Sequence, residues 1–215
     1  MRLFKASDNY LACPNCGTIH PVQSVKIKKI YLDGTPQVPI EHLLTQCTVC
    51  SNCRTICMKD GGPEVANIVQ SSAYQDALLQ EYNDEVEEKL ALLHAAFNPW
   101  YIATYYARYY HEKQDVAAEQ KWLNIAIDNI NNGKDQHADE YIAAEMPQLK
   151  LRHNASMYLY AEVRLVDLYR RARRFQEAAD QINKIRQRKV LARPTFYTYL
   201  ELEEQLIAQQ DSSLY

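Results

Sequence analysis

The sequence predicts an α+β protein that is mostly helical, with a small β module in front and an all-α region behind. Two observations carry this. All six cysteines fall before residue 60, in "CPNCG" (Cys13, Cys16) and "CTVCSNCRTIC" (Cys47, Cys50, Cys53, Cys57). Beyond them the chain becomes a succession of helix-forming stretches punctuated by proline, asparagine and glycine. Five glycines in the whole chain are few, and Gly61 and Gly62 sit side by side. The expected organisation is therefore a module over 1–60 and a helical domain over 61–215.

The elements follow in order. "VQSVKIKKIYL" alternates Val25 and Ile27 with Lys26 and Lys28, and "DGTP" at Asp33 to Pro36 is a turn, so the front segment reads as a hairpin of strands. Pro63 suits the first turn of a helix, and the helix-forming run from there continues to Phe97. Asn98 and Pro99 then cap and open a helix from Trp100 to about His111. Another runs from about Val116 to Ile130 and stops at Asn131 to Gly133. A shorter piece ends near Pro147, "NASMYLYAEVRLVDLYRRA" and "FQEAADQINKIRQ" form a helical pair, and Pro194 opens a last helix.

Bulk properties exclude some classes. A chain of 215 residues can bury a core, and a net charge of −3 with 24% charged residues sets up no global field for nucleic acid. Charge is uneven: residues 1–60 carry seven Lys/Arg against four Asp/Glu, residues 61–150 six against fifteen, and residues 151–215 eleven against eight. The longest apolar runs fall short of the roughly 18–20 residues that span a bilayer, and "MRLFKASDNY" has no apolar signal core. The expectation is a cytoplasmic protein without a membrane segment. In a reducing compartment, clustered cysteines bind metal more often than they pair as disulfides.

Four thiolates around zinc call for two Cys-x-x-Cys turns that point both sulfurs at the ion. "CPNCG" is one, since Pro14 starts a tight turn and Gly17 tolerates the left-handed backbone that follows. The second is either Cys47/Cys50 or Cys50/Cys53. Cys50 and Cys53 are preferred because "TVCSNCRTI" repeats the shape of the first turn, although Arg54 stands where the first has Gly17. A structural zinc on Cys13, Cys16, Cys50 and Cys53 is the leading reading, with Cys47 and Cys57 as alternates and otherwise as small buried side chains. Two others stay open. Cys47, Cys50, Cys53 and Cys57 reproduce a C-x2-C-x2-C-x3-C iron–sulfur run, which would make an electron carrier, though Met58 replaces its proline. Six thiols with His20 and His42 would supply eight ligands for two zincs.

In the helical region, Tyr105, Tyr109, Ala118, Trp122 and Ile125 recur sixty residues on as Leu165, Tyr169, Ala178, Ile182 and Ile185. A small residue between large ones lets paired helices approach closely. This pattern resembles the tetratricopeptide repeat, most closely in "LVDLYRRARRFQEAADQINKI". Tyr106 and Val166 replace the family's small residue in the first helix, its closing proline is absent, and residues 126–158 are too long for a tandem array. The whole layout, with "YRRARRFQEA" at Tyr169 to Ala178, is similar to the bacterial family called domain of unknown function 2225, with which no activity comes. The repeat resemblance implies a concave groove lined by Trp100, Tyr110, His111, Tyr160, Arg170 and Arg171, aromatic and arginine side chains of the kind that bind peptides.

Each candidate surface has a plainer reading. The tyrosines of "WYIATYYARYY" put Tyr101, Tyr105 and Tyr109 on one helical stripe, which core packing explains as well as recognition. "RRARR" (Arg170 to Arg174), with Arg186, Arg188, Lys189, Lys26, Lys28 and Lys29, would serve nucleic-acid phosphates, but such runs are commonly solvated helix ends. No G-x-S-x-G, phosphate loop, H-E-x-x-H or dinucleotide fingerprint is present, so no catalytic residue is assigned. A zinc-binding interaction scaffold is the function expected, with a protein or peptide partner, and a nucleic-acid-binding zinc protein is its rival.

Overall fold

The computed structural model of the chain describes residues 7–24, 39–58, 69–97, 100–132, 162–187 and 194–213. The fold is α+β and mostly helical, as expected. The described residues fall into two compact units, the first up to Glu119 and the second from Gln120 onward. Several expected features lie outside them: the strand beyond Ser24 with its Asp33–Pro36 turn, Gly61 and Gly62, the helix start at Pro63, Asn98 and Pro99, and the piece before Pro147.

In the first unit, β1 (Ser7–Ala12) and β2 (Ile19–Ser24) form an antiparallel pair with Ala12 opposite Ile19 and Leu11 opposite His20. The two-residue period turns His20 and Val22 inward, while Ile19 and Pro21 face solvent. A four-residue helix, α1 (Ile40–Leu43), and a 3-10 turn over Leu44–Gln46 lead into β3 (Cys47–Val49), which pairs antiparallel with β4 (Ile56–Met58). The helices α2 (Ser72–Leu78), α3 (Glu85–Phe97) and α4 (Trp100–Glu112) follow. The Ile40 N–H that begins α1 donates to the Glu112 carboxylate at 3.2 and 3.3 Å, and buried Arg108 holds that carboxylate from one turn back at 3.1 Å. Ile40, Leu44, Ile56, Leu90, Leu93 and Ile102 are buried in this unit.

The single helical run expected up to Phe97 is broken between α2 and α3. Local hydrogen bonding is the cause: Asp84 Oδ1 accepts the Glu87 N–H at 2.9 Å, and the Glu87 carboxylate accepts the Asn83 N–H at 2.8 Å. This reciprocal arrangement satisfies backbone donors that a new helix start leaves open. Its signal, Asn83-Asp84 followed by Glu87, was legible in the sequence.

The second unit takes most of α5 (Val116–Asn132), then α6 (162–171), α7 (Phe175–Gln187) and α8 (Pro194–Ala208). Val163, Val166, Ile182, Ile185 and Leu200 form a core against which Tyr199 and Ile207 pack. Buried residues in α7 recur as Ala178, Gln181, Ile182 and Ile185, the one-face spacing of an amphipathic helix. No helix among the described residues is long and apolar enough to cross a membrane.

Two helix-to-helix turns share one geometry. Asp115 N–H bonds Tyr110 O at 2.9 Å and Arg174 N–H bonds Tyr169 O at 2.8 Å, with Gln114 and Arg173 in the left-handed region at φ 60 and 59°. Equivalent positions therefore lie 59 residues apart, not sixty. Burial agrees, because Tyr106 with Leu165, Tyr109 with Leu168, Leu123 with Ile182 and Ala126 with Ile185 are all buried. Matching Ala118 to Ala178 displaced the register by one, since Glu119 holds the place of Ala178 relative to the turn.

Candidate metal centre

Two six-residue turns, "CPNCGT" from Cys13 and "CSNCRT" from Cys50, fold alike. Cys13 N–H donates to Thr18 O at 2.8 Å and Gly17 N–H to Cys13 O at 2.9 Å; Cys50 N–H donates to Thr55 O at 2.8 Å and Arg54 N–H to Cys50 O at 2.9 Å. The fifth residue of each is left-handed, Gly17 at φ 75° and Arg54 at 59°. The sixth places a hydroxyl beside the second cysteine: Thr18 Oγ1 lies 3.2 Å from Cys16 Sγ, and Thr55 Oγ1 lies 3.1 Å from Cys53 Sγ. Asn15 joins the two turns by donating to Thr55 Oγ1 at 3.3 Å.

The turns bring four sulfurs together. Cys13, Cys16, Cys50 and Cys53 have their Sγ atoms within 4.8 Å of one another, with Cys13 to Cys53 and Cys16 to Cys50 at 3.5 Å. A tetrahedral ion with metal–sulfur bonds of about 2.3 Å sets its sulfurs about 3.8 Å apart, so this group has the dimensions to hold one metal ion. Cys13 and Cys50 are buried, Cys53 is half-buried and Cys16 is exposed.

Protonation is arranged in parallel. Hydrogen bonds from the Thr18 hydroxyl and backbone lower the Cys16 thiol to about 5. Burial pushes Cys53 up, but the Thr55 hydroxyl and backbone outweigh it and leave that thiol below its ordinary value. Burial raises Cys13, and pushes Cys50 up to about 11. Each turn thus pairs one thiol whose hydrogen bonds favour ionisation with one whose burial opposes it and which a cation must deprotonate.

Cys47 and Cys57 stand outside this group. Cys47 is buried and donates to Leu44 O at 3.4 Å; Cys57 is buried against Cys13 and Cys50 and donates to Thr55 O at 3.4 Å. The iron–sulfur run needs both as ligands, whereas the four-sulfur group draws on Cys13 and Cys16. His20 and His42 are not in it either: His20 is buried in β2, and His42 lies 3.7 Å from Glu41. Among the described residues there is no second such group.

Tyr74 was missed from sequence. Its ring is fully buried, and its hydroxyl accepts the Ile56 N–H at 2.8 Å and donates to Arg54 O at 2.9 Å, gripping the second turn from α2. Only packing reveals it. The Asn-Cys-x-Thr string common to both turns, by contrast, was readable and would have marked Asn15, Thr18 and Thr55.

The residues expected to line a groove are dispersed in character. Trp100 and Tyr110 are half-buried in the first unit, where the Tyr110 hydroxyl donates to the Glu87 carboxylate. His111 is exposed, with Nδ1 3.1 Å from Glu119. Tyr160 lies outside the described residues. Arg170 and Arg171 are buried in the second unit, which corrects the expectation that they face an open groove. Arg170 donates to Asp167 at 2.6 Å, to Glu203 at 2.8 Å and to the carbonyls of Asp211 and Ser213 at 2.8 Å. A buried guanidinium requires such partners, and the acids on α6 and α8 supply them. Arg174 pairs with Glu177 and Arg186 with Glu204, so "RRARR" leaves Arg173 as its exposed member. Lys26, Lys28, Lys29, Arg188 and Lys189 lie outside the described residues.

Gly17 permits one direct check of the turn chemistry. Nothing lies within 4 Å of a Cβ built there, so the cost of Gly17→Ala is purely that of a left-handed alanine. About 1 kcal/mol, or about fivefold in metal affinity by chelator competition, is expected.

Fold and site together define an α+β, mostly helical protein with a four-cysteine group able to hold a metal ion. Comparison with protein-family models, with curated proteins and with solved structures finds no match.

Proposed function

We propose that the chain is a non-enzymatic scaffold whose first unit is built around one structural zinc ion, and whose helices bind a protein or peptide partner in the cytoplasm. The observation that carries the zinc reading is the convergence of four sulfurs, within 4.8 Å of one another, from two turns of the same design. Thiolate sets of this size suit zinc or a lone iron; a cluster would spread its ligands over several irons. Four protein ligands close the coordination sphere and leave no position for water or substrate, which favours a structural role over a catalytic one. When bound, the ion would supply cross-linking of the two turns, while the Thr18 and Thr55 hydroxyls favour the ionised forms of the Cys16 and Cys53 sulfurs.

Helix pairs joined by turns of one geometry, at Tyr110–Asp115 in the first unit and Tyr169–Arg174 in the second, support the interaction reading that the tetratricopeptide resemblance implies. The inward-facing Arg170 and Arg171 remove much of the basic run that a nucleic-acid reading needs.

Elemental analysis of the purified chain tests the metal: one zinc per chain in a colourless preparation is expected, and a coloured preparation containing iron would replace zinc by iron. Calorimetry in buffers of different ionisation enthalpy should show proton release on metal binding at pH 7, with Cys13 and Cys50 among the sources, so apparent affinity rises with pH. Labelled oligonucleotides should show no salt-sensitive binding; tight, salt-dependent binding would favour the rival.

A further inference from the structure

The two metal turns are equal in hydrogen bonding but not in backbone cost. Gly17 adopts φ 75° freely, whereas Arg54 takes φ 59° against the clash that a side chain brings in the left-handed region. The costly turn is the one that the helices grip. Tyr74 of α2 accepts the Ile56 N–H at 2.8 Å and donates to Arg54 O at 2.9 Å, and so fixes the peptides on either side of Thr55. The Arg54 guanidinium pairs with Glu88 of α3. Thr55, whose hydroxyl lies 3.1 Å from Cys53 Sγ, is fully buried between these anchors.

We infer that Tyr74 is a positioning residue for the metal centre, holding the Arg54–Ile56 backbone in its ligand-presenting form, so that metal binding and the docking of α2 are linked. This rests on the metal-binding reading. The link is reciprocal: whatever Tyr74 contributes to metal affinity, the metal returns as stabilisation of α2. Removing the phenol oxygen leaves the ring packing in place while depriving Arg54 O and Ile56 N–H of their partner. Groups that orient metal ligands from behind typically carry about 10–100-fold in affinity.

The test is zinc affinity of the full chain by competition with a chromophoric chelator. Tyr74→Phe should bind about 10–100-fold more weakly, while Tyr169→Phe, whose hydroxyl accepts from Asn131 in the second unit, should bind as the parent does. Arg54→Gly relieves the turn, so in that background Tyr74→Phe should cost no more than about threefold. An undiminished cost there would mean general support of the fold and would overturn the positioning role, as would parental affinity in Tyr74→Phe alone. If Tyr74→Phe does not fold, amide exchange on the parent chain decides: zinc should slow exchange across 72–78, and unchanged rates would sink the link. Failure of the metal reading looks different, because the parent chain would then take up no stoichiometric ion.

Discussion

Cys50→Ser is expected to eliminate stoichiometric zinc and to unfold the cysteine turns of the first unit. Apparent binding free energies of closed structural zinc sites are about 10–16 kcal/mol, comparable with the whole stability of a small domain. Cys50 is fully buried, and its sulfur lies 3.5 Å from that of Cys16, so a serine oxygen would leave both a defective ligand set and a buried hydroxyl. The strands flanking the second turn, β3 and β4, are three residues each and give the site little regular sheet to rest on. Cys57→Ser is the matched control. It too replaces a buried thiol, but one that donates to Thr55 O, and should lower the melting temperature by an amount worth about 1–2 kcal/mol while retaining one zinc. Equal zinc loss in the two variants would refute the assignment of the ligands. The second unit should keep its helical circular dichroism in both.

Arg170→Ala is expected to destabilise the second unit by about 3–5 kcal/mol, read as a loss of denaturation midpoint. The guanidinium is fully buried between Asp167 and Glu203 and also ties down the Asp211 and Ser213 carbonyls beyond α8. Alanine would strand two buried carboxylates. Burial, reinforced by the charge of Asp167 and only partly offset by Arg170, lifts Glu203 to about 7. The folded state therefore holds this proton more tightly than the unfolded chain does. The resulting stability is fully present below the ordinary glutamate range and is lost as pH rises through about 7, by up to about 3 kcal/mol. Chemical denaturation of the parent chain should show that decline between about pH 4.5 and 7.5, and Glu203→Gln, a neutral isostere, should flatten it.

Whether a feature could be read from the sequence depended on how far apart its partners lie. Cys-x-x-Cys turns are short-range objects, so Cys13 with Cys16 and Cys50 with Cys53 could be picked out directly, and helix limits near Trp100, Asn132 and Pro194 follow from local punctuation. The α2–α3 break is equally local, written in Asn83, Asp84 and Glu87, but residues on both sides favour helix and mask it. The repeat register is set by the turns, whose left-handed Gln114 and Arg173 are neither glycine nor asparagine and carry no sequence signal, whereas the alanines align one residue further on.

Arg170 and Tyr74 belong to another category. Asp167, three residues before Arg170, hinted at a pair, but Glu203 follows it by 33 positions, and charge alone made "RRARR" look like a surface. Tyr74 meets a turn 18 to 20 residues upstream through a single oxygen. Residue order sufficed for the α+β class, several helix ends and the Cys13/Cys16 half-site, because those follow from spacing along a few turns of chain. Which arginines are buried, which half-site completes the sulfur group and which phenol holds it were settled by three-dimensional packing. Burial is a cost that an ion or hydroxyl can meet only with partners, and those partners arrive from distant segments.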